Sequence, residues 1–108
     1  MTWREAVPEL TNGEFEEFVK CDLSFIDFFA EWNFQCTMMS PIIEDLSEEF
    51  GGKIRFGRIN VEDNRKIVEK FQVNSFPTFI LLKGSEILEK ISGEFSQDEI
   101  EEVLKKYL

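Results

Sequence analysis

The spacing of apolar and polar residues predicts strands that alternate with helices along this chain. Residues 23–30 are apolar on both faces of an extended backbone, apart from Ser24 and Asp27. This pattern is typical of a strand whose sheet is covered by helices on both sides. We therefore expect this segment to lie at the centre of the sheet.

The rest of the chain completes an alternating order of elements. Extended runs at residues 7–10, 54–61, 78–82 and 86–91 predict further strands, the last two joined by a hairpin turn. Capping-box patterns at Thr11–Glu14 and Ser96–Glu99 begin the first and last helices. A helix over 33–50 and a short helix capped by Asp63 or Asn64 lie between them. The order predicts an α/β fold with a central mixed sheet of about five strands flanked by four helices.

Composition narrows the classes of partner. The 108 residues suit one domain, residues 1–108, and 22 acidic against 12 basic side chains give a net charge of -10. Phosphate backbones are bound by clustered cations, so we expect no nucleic-acid partner. The chain has neither a basic leader nor a long uncharged apolar run, which predicts a cytoplasmic protein without membrane contact. We expect a monomer.

The chain has no histidine and only two cysteines. This composition argues against imidazole-dependent metal sites, against Cys-His and Ser-His catalysis, and against a disulfide framework. We expect neither a cofactor nor a metal.

Of the two cysteines, Cys36 is the candidate for a reactive thiol. It is predicted in the first turn of the second helix, just past the carboxyl end of the central strand, where open α/β sheets place their sites. A helix N-terminus favours thiolate over thiol, so a reactive Cys36 with a depressed pKa is one hypothesis. The other is that Cys36 points inward as a small apolar residue, as free cysteines commonly do.

Asp27 is an acidic residue within an apolar strand. Burial would raise its pKa and make it a proton acceptor near a thiol. Arg58, on the next predicted strand, would instead hold it ionised if the two approach, and a purely structural Asp-Arg pair is the competing interpretation. Cys21 precedes the strand that Cys36 follows, roughly 25 Å away at strand spacing, so the two thiols are not expected to pair.

Four aromatic residues fall in or next to predicted loops near one end of the sheet. They are Trp32, Phe34, Phe76 and Phe95, and they form either an apolar recognition patch or lids over the core. Phe76 precedes Pro77, whose peptide bond is a candidate for the cis isomer.

Taken together, these motifs resemble the thioredoxin family over essentially the whole chain. The resemblance is carried by the segment from Asp27 to Trp32, by Cys36 followed by Pro41, by the run Phe76, Pro77 and Thr78, and by Gly93. It implies the thioredoxin fold and thiol-disulfide redox chemistry. In that family a Trp-Cys-x-x-Cys site attacks a substrate disulfide with its first cysteine and resolves the mixed disulfide with its second.

This chain departs from that motif, since it has Trp-Asn-Phe-Gln-Cys from Trp32 to Cys36. By resemblance, Asn33 occupies the attacking position, Cys36 the resolving one, and Asp27 the place of the buried acid. Arg58 stands where the family usually has a lysine. Further resemblance assigns the cis-proline position to Pro77 and the walls of a peptide groove to Phe76 and Gly93. Asn is also a favoured helix N-cap, so position 33 exchanges a nucleophile for helix-end stability.

Three functional hypotheses follow. The first is a redox protein with one working thiol, in which Cys36 forms mixed disulfides or a sulfenic acid and dithiol reductase turnover is poor. The alternative is a non-catalytic peptide or protein binding module that uses the groove around Trp32, Phe76 and Pro77. In the third, the fold only supports an assembly. The first two require a protein or peptide partner.

Overall fold

The computed structural model describes residues 7–108, in which four strands form one mixed sheet in the order β2-β1-β3-β4. In chain order the elements are α1 (Asn12–Phe18), β1 (Ser24–Phe29), α2 (Phe34–Phe50), β2 (Arg55–Asn60), α3 (Arg65–Lys70), β3 (Thr78–Lys83), β4 (Glu86–Ser92) and α4 (Gln97–Lys105). The α/β thioredoxin fold predicted from the sequence is confirmed. None of the helices described is long and apolar enough to cross a membrane.

β1 lies inside the sheet, as its pattern predicted. It pairs in parallel with β2 and antiparallel with β3, and all six of its residues are buried. β3 and β4 form the closing antiparallel hairpin. Because β1 has hydrogen-bonded neighbours on both edges and helices on both faces, polar side chains on it are withdrawn from water.

The predicted first strand is the one element that the structure corrects. Residues 7–10 do not form a strand, and only Glu9 makes an isolated parallel bridge, with Arg58. The Arg58 amide donates to the Pro8 carbonyl at 3.0 Å, and the Leu10 amide donates to the Arg58 carbonyl at 2.8 Å. Pro8 has no amide hydrogen with which to extend a ladder, so the sheet has four strands within residues 7–108 rather than the expected five or so.

The helices pack in two layers, α1 and α3 on one face of the sheet and α2 and α4 on the other. Strand side chains alternate between faces, so Asp27 shares the face of Phe25, which packs in the apolar cluster built with α2 and α4. Arg58 shares the face of Phe56 in the same cluster. The register therefore places both charged residues beneath α2.

Candidate functional site

The candidate site lies where the N-terminus of α2 follows the carboxyl end of β1. Cys36 lies in the first turn of α2, as predicted, but its side chain is only 4% exposed. The backbone amide of Ala30 donates to the Cys36 sulfur at 3.5 Å. Cys36 and Cys21 are both free thiols. The Cys36 thiol, in the first turn of α2, is thus buried and does not lie on the helix surface.

The expectation of a depressed pKa for Cys36 is wrong. Burial raises the pKa of Cys36, and the amide of Ala30 lowers it by less, while the nearby Asp27 raises it further. The partial positive charge of a helix terminus favours thiolate, but desolvation of the charged form outweighs it here. At neutral pH the thiol form therefore predominates.

Asp27 is buried, and the hydrogen-bonding capacity of its carboxyl group is not fully used within the described part of the chain. Its side chain is 3% exposed, and its Oδ1 atom has no hydrogen-bond partner among the described residues. Burial raises the pKa of Asp27 from its ordinary value of 3.8 to about 7. Arg58 lies opposite Asp27 in the register of β1 and β2, and its charge lowers this pKa by less than burial raises it. Near neutral pH, Asp27 can accept or donate a proton.

Arg58 is anchored by groups beyond Asp27. Its Nη2 atom lies 3.5 Å from Oε1 of Glu9, and its guanidinium carbon lies 4.9 Å from the ring centre of Phe29. Arg58, Asp27 and Cys36 line the same cavity of about 300 Å³. The three charged or titratable residues named from the sequence are therefore brought together.

Asn33 connects two parts of the site. It is the N-cap of α2, and its Oδ1 atom accepts the Cys36 amide at 3.0 Å. Its Nδ2 atom donates to the Phe76 carbonyl at 3.3 Å. The Asn33 side chain thus ties the start of α2 to the loop before β3.

The aromatic residues divide into two exposed and two partly buried ones. Trp32 is 67% exposed and Phe34, the first residue of α2, is 74% exposed, whereas Phe76 and Phe95 pack partly against the core. The rings of Trp32 and Phe76 meet edge to face, with centroids 6.2 Å apart. Neither the patch nor the lid interpretation holds for all four residues.

The groove positions lie beside this aromatic pair. The peptide bond between Phe76 and Pro77 is cis, and the Gly93 amide donates to the Pro77 carbonyl at 2.9 Å. Gly93 has φ of +102°, a conformation that favours glycine. The loop before β3 is thereby joined to the end of β4.

Sequence reasoning missed two features of the site. It gave no sign that Ala30 supplies the amide donor to the Cys36 sulfur, because backbone donors carry no residue signature. It also missed the bond from Asn33 to Phe76, since these residues are 43 positions apart in the chain. The Asn33 N-cap itself could be read from the residue type.

Fold and site together define an α/β protein with a thiol at the start of a helix beside a cis-proline loop. A model of the Thioredoxin family matches residues 6–106, and the chain belongs to the thioredoxin family. It is 37% identical to a thioredoxin of Buchnera aphidicola over 98 residues, covering 89% of this chain and 91% of that one. A thioredoxin of Listeria monocytogenes is 33% identical over 94% of this chain and 99% of its own. One from Staphylococcus haemolyticus is 32% identical over 95% and 99%.

Proposed function

We propose that this protein acts in thiol-disulfide redox homeostasis through one thiol, Cys36, and is a poor dithiol-disulfide reductase. The observation that carries the proposal is the side chain of Asn33. It occupies the attacking position and bonds the Cys36 amide and the Phe76 carbonyl. An amide has no thiolate to attack a disulfide, so the first step of a dithiol cycle has no nucleophile at this position.

The remaining chemistry belongs to Cys36. After its proton leaves, with Asp27 as the acceptor in the same cavity, the Cys36 thiolate attacks one sulfur of a partner disulfide. A bond forms to that sulfur, the partner's sulfur-sulfur bond breaks, and the second partner sulfur leaves as a thiolate, which takes up the proton from Asp27 or one from water. A peroxide would instead transfer a hydroxyl to Cys36, yielding a sulfenic acid and water or an alcohol. An external thiol is then needed to reduce either the mixed disulfide or the sulfenic acid back to the free Cys36 thiol.

A mixed-disulfide trap tests this proposal. The protein is incubated with a peptide whose cysteine is joined by a disulfide bond to an aromatic thiol. Mass spectrometry then locates the peptide adduct on the protein. We expect an adduct on Cys36 that persists until an external thiol is added. In Asn33→Cys the neighbouring thiol should release it without an external reductant. Labelling confined to Cys21, or no adduct on Cys36, would refute single-thiol chemistry.

A second function, peptide binding without chemistry, is favoured by the exposure of Trp32 and Phe34. The groove would be formed by Trp32, Phe76, Pro77 and Gly93. An extended peptide that donates to the Phe76 carbonyl would share that oxygen with the Asn33 amide or replace it there. Full partner binding by Cys36→Ser would favour this function, whereas complete loss of binding would exclude it.

Both proposals imply the same domain organisation, oligomeric state, location and class of partner. We propose one thioredoxin-like domain over residues 1–108, monomeric and cytoplasmic, with a protein or peptide partner. In the first proposal Asp27, Cys36 and Arg58 serve the chemistry, and in either proposal the exposed aromatic residues Trp32 and Phe34 serve recognition. The family membership supports a protein partner, because thiol-disulfide exchange in this family acts on disulfides of other proteins.

A further inference from the structure

An apolar surface runs along α2, beginning one residue after Asn33. Phe34, Met38 and Ile42 are spaced four residues apart and therefore share one face of the helix. Phe34 is 74% and Met38 54% exposed, while Ile42 is half-buried. We call these three residues the α2 stripe. The solvent face of an ordinary amphipathic helix is polar, so the stripe leaves apolar side chains without a partner.

A cavity of about 340 Å³ borders the stripe. It lies between α2 and the loop that leads into α4, and its lining residues are Met38, Met39, Ile42, Glu94, Phe95 and Ser96. Two methionines, an isoleucine and a phenylalanine give it mostly apolar walls, and methionine side chains adapt to differently shaped ligands. One large apolar side chain of a partner fits such a cavity better than a polar one.

The segments around the stripe are acidic and carry no cation. Residues 21–52 and 91–104 contain no lysine or arginine. Asp27 is buried in the sheet, and Asp22 lines another cavity with Lys53 and Lys83. The other acidic residues of these segments are exposed or half-buried: Glu31, Glu44, Asp45, Glu48, Glu49, Glu94, Asp98, Glu99, Glu101 and Glu102. Glu94 lines the cavity beside the stripe. Lys90 and Lys106 line a neighbouring cavity that also contacts Phe95, but both cations already have partners. Lys90 donates to the carbonyls of Phe71 and Gln72, and Lys106 lies 3.8 Å from a Glu89 oxygen. The stripe is therefore an apolar surface in a negative field.

We propose that the α2 stripe docks a basic segment of a partner protein that inserts a large apolar side chain into the cavity beside Phe95. The stripe supplies apolar contact, and the surrounding carboxylates favour lysine or arginine next to the inserted side chain. This inference rests on the function proposed above and names its partner class. The stripe begins at Phe34, one residue after Asn33, so a segment docked there reaches the candidate site.

Charge also argues against three other binding partners for the α2 stripe: a second copy of the chain, a membrane and a nucleic acid. A second copy of the chain would bring the same acidic surroundings against themselves, and the whole protein carries a charge of -10. An anionic membrane or a nucleic acid would be repelled in the same way. A basic protein segment is the occupant that both the apolar stripe and its charged surroundings favour.

Fluorescence anisotropy with two synthetic peptides tests this inference. Both are about ten residues long with a central Leu-Phe-Leu, one with flanking lysines and the other with flanking glutamates. We expect the lysine peptide to bind about tenfold more tightly at about 50 mM salt, and this difference to shrink at about 500 mM. Equal binding of the two peptides, or no saturable binding of the lysine peptide, would overturn the inference.

Matched variants locate the binding surface. Met38→Ala and Phe34→Ala should each weaken the lysine peptide several-fold, whereas Ile87→Ala removes an exposed apolar side chain on β4 and should have no effect. Glu94→Gln should reduce the preference for lysine, and Glu86→Gln at the hairpin should not. Circular dichroism verifies that each variant folds. Equal losses in the stripe and control variants would contradict the assigned surface.

The same measurements separate this inference from the proposed thiol chemistry. In Cys36→Ser the lysine peptide should bind as it does to the unchanged protein, because the stripe contacts it without a covalent bond. Binding that disappears in Cys36→Ser would overturn docking on the stripe and leave the thiol proposal standing. Size-exclusion chromatography with light scattering should give a monomer, and a dimer dispersed by Met38→Ala would assign the stripe to self-association instead.

Discussion

Replacement of Asp27 by asparagine should make the protein more stable at alkaline pH. In the folded protein, burial raises the pKa of Asp27 to about 7, whereas its ordinary value is 3.8. Between these two values the folded state keeps a proton that the unfolded state has lost. The free energy of unfolding therefore falls as pH rises through this window, and the contribution of Asp27 is fully lost above the folded pKa.

The size of the effect follows from the same shift. A rise from 3.8 to about 7 corresponds to about 4 kcal/mol, at 1.36 kcal/mol for each pKa unit. Asparagine has nearly the shape of a protonated aspartate and does not ionise. Asp27→Asn should thus match the unchanged protein near pH 4 and exceed it by a few kcal/mol near pH 8.

Urea unfolding followed by circular dichroism at several pH values measures this difference. Asp45→Asn is the matched control, because it makes the same substitution at an exposed carboxylate of α2. Its difference from the unchanged protein should vary little with pH. An Asp27→Asn difference that is equally flat would show that Asp27 ionises normally in the folded state and would refute the burial argument.

Three further predictions concern neighbouring groups. Asn33→Ala should lower the free energy of unfolding by about 1 to 2 kcal/mol, because it removes an N-cap and a second hydrogen bond. Gln35→Ala is the control, since Gln35 is exposed in the same turn. Equal losses of stability in the two variants would contradict this account. Arg58→Met should raise the pKa of Asp27 further, as carbon-13 titration of its carboxyl would show, and a fall would contradict the assigned direction. Iodoacetamide should alkylate Cys36 slowly at pH 7 and faster as pH passes 9; rapid labelling at pH 7 would mean that burial does not raise its pKa.

Local patterns predicted most of the fold because each element carries its own signal. The run of apolar residues around Asp27 identified β1, and both capping boxes are present, at Thr11 and Ser96. The edge of the sheet was harder to predict. Whether Pro8 ends a ladder or only flanks one depends on the hydrogen bonds that β2 offers, and these are not visible in residues 7–10.

The candidate site was predictable in its residues but not in its energetics. Asp27 and Arg58 share the cavity of Cys36 because alternation and register place both of them beneath α2, whose first turn contains Cys36. The direction of the Cys36 pKa shift depended on how deeply the thiol is buried. Desolvation raises this pKa by more than the helix terminus lowers it. The bond from Asn33 to Phe76 requires the tertiary fold, since no local pattern links residues 43 positions apart.

Insulin disulfide reduction by the unchanged protein and by Asn33→Cys, measured side by side with dithiothreitol as the reductant, tests the central claim most directly. Both proteins keep Cys36, Asp27 and the loop before β3, so they differ only in the group at the attacking position. We predict negligible turnover above the dithiothreitol background for the unchanged protein and clear turnover for Asn33→Cys. Robust turnover by the unchanged protein, abolished by Cys36→Ser, would contradict the account.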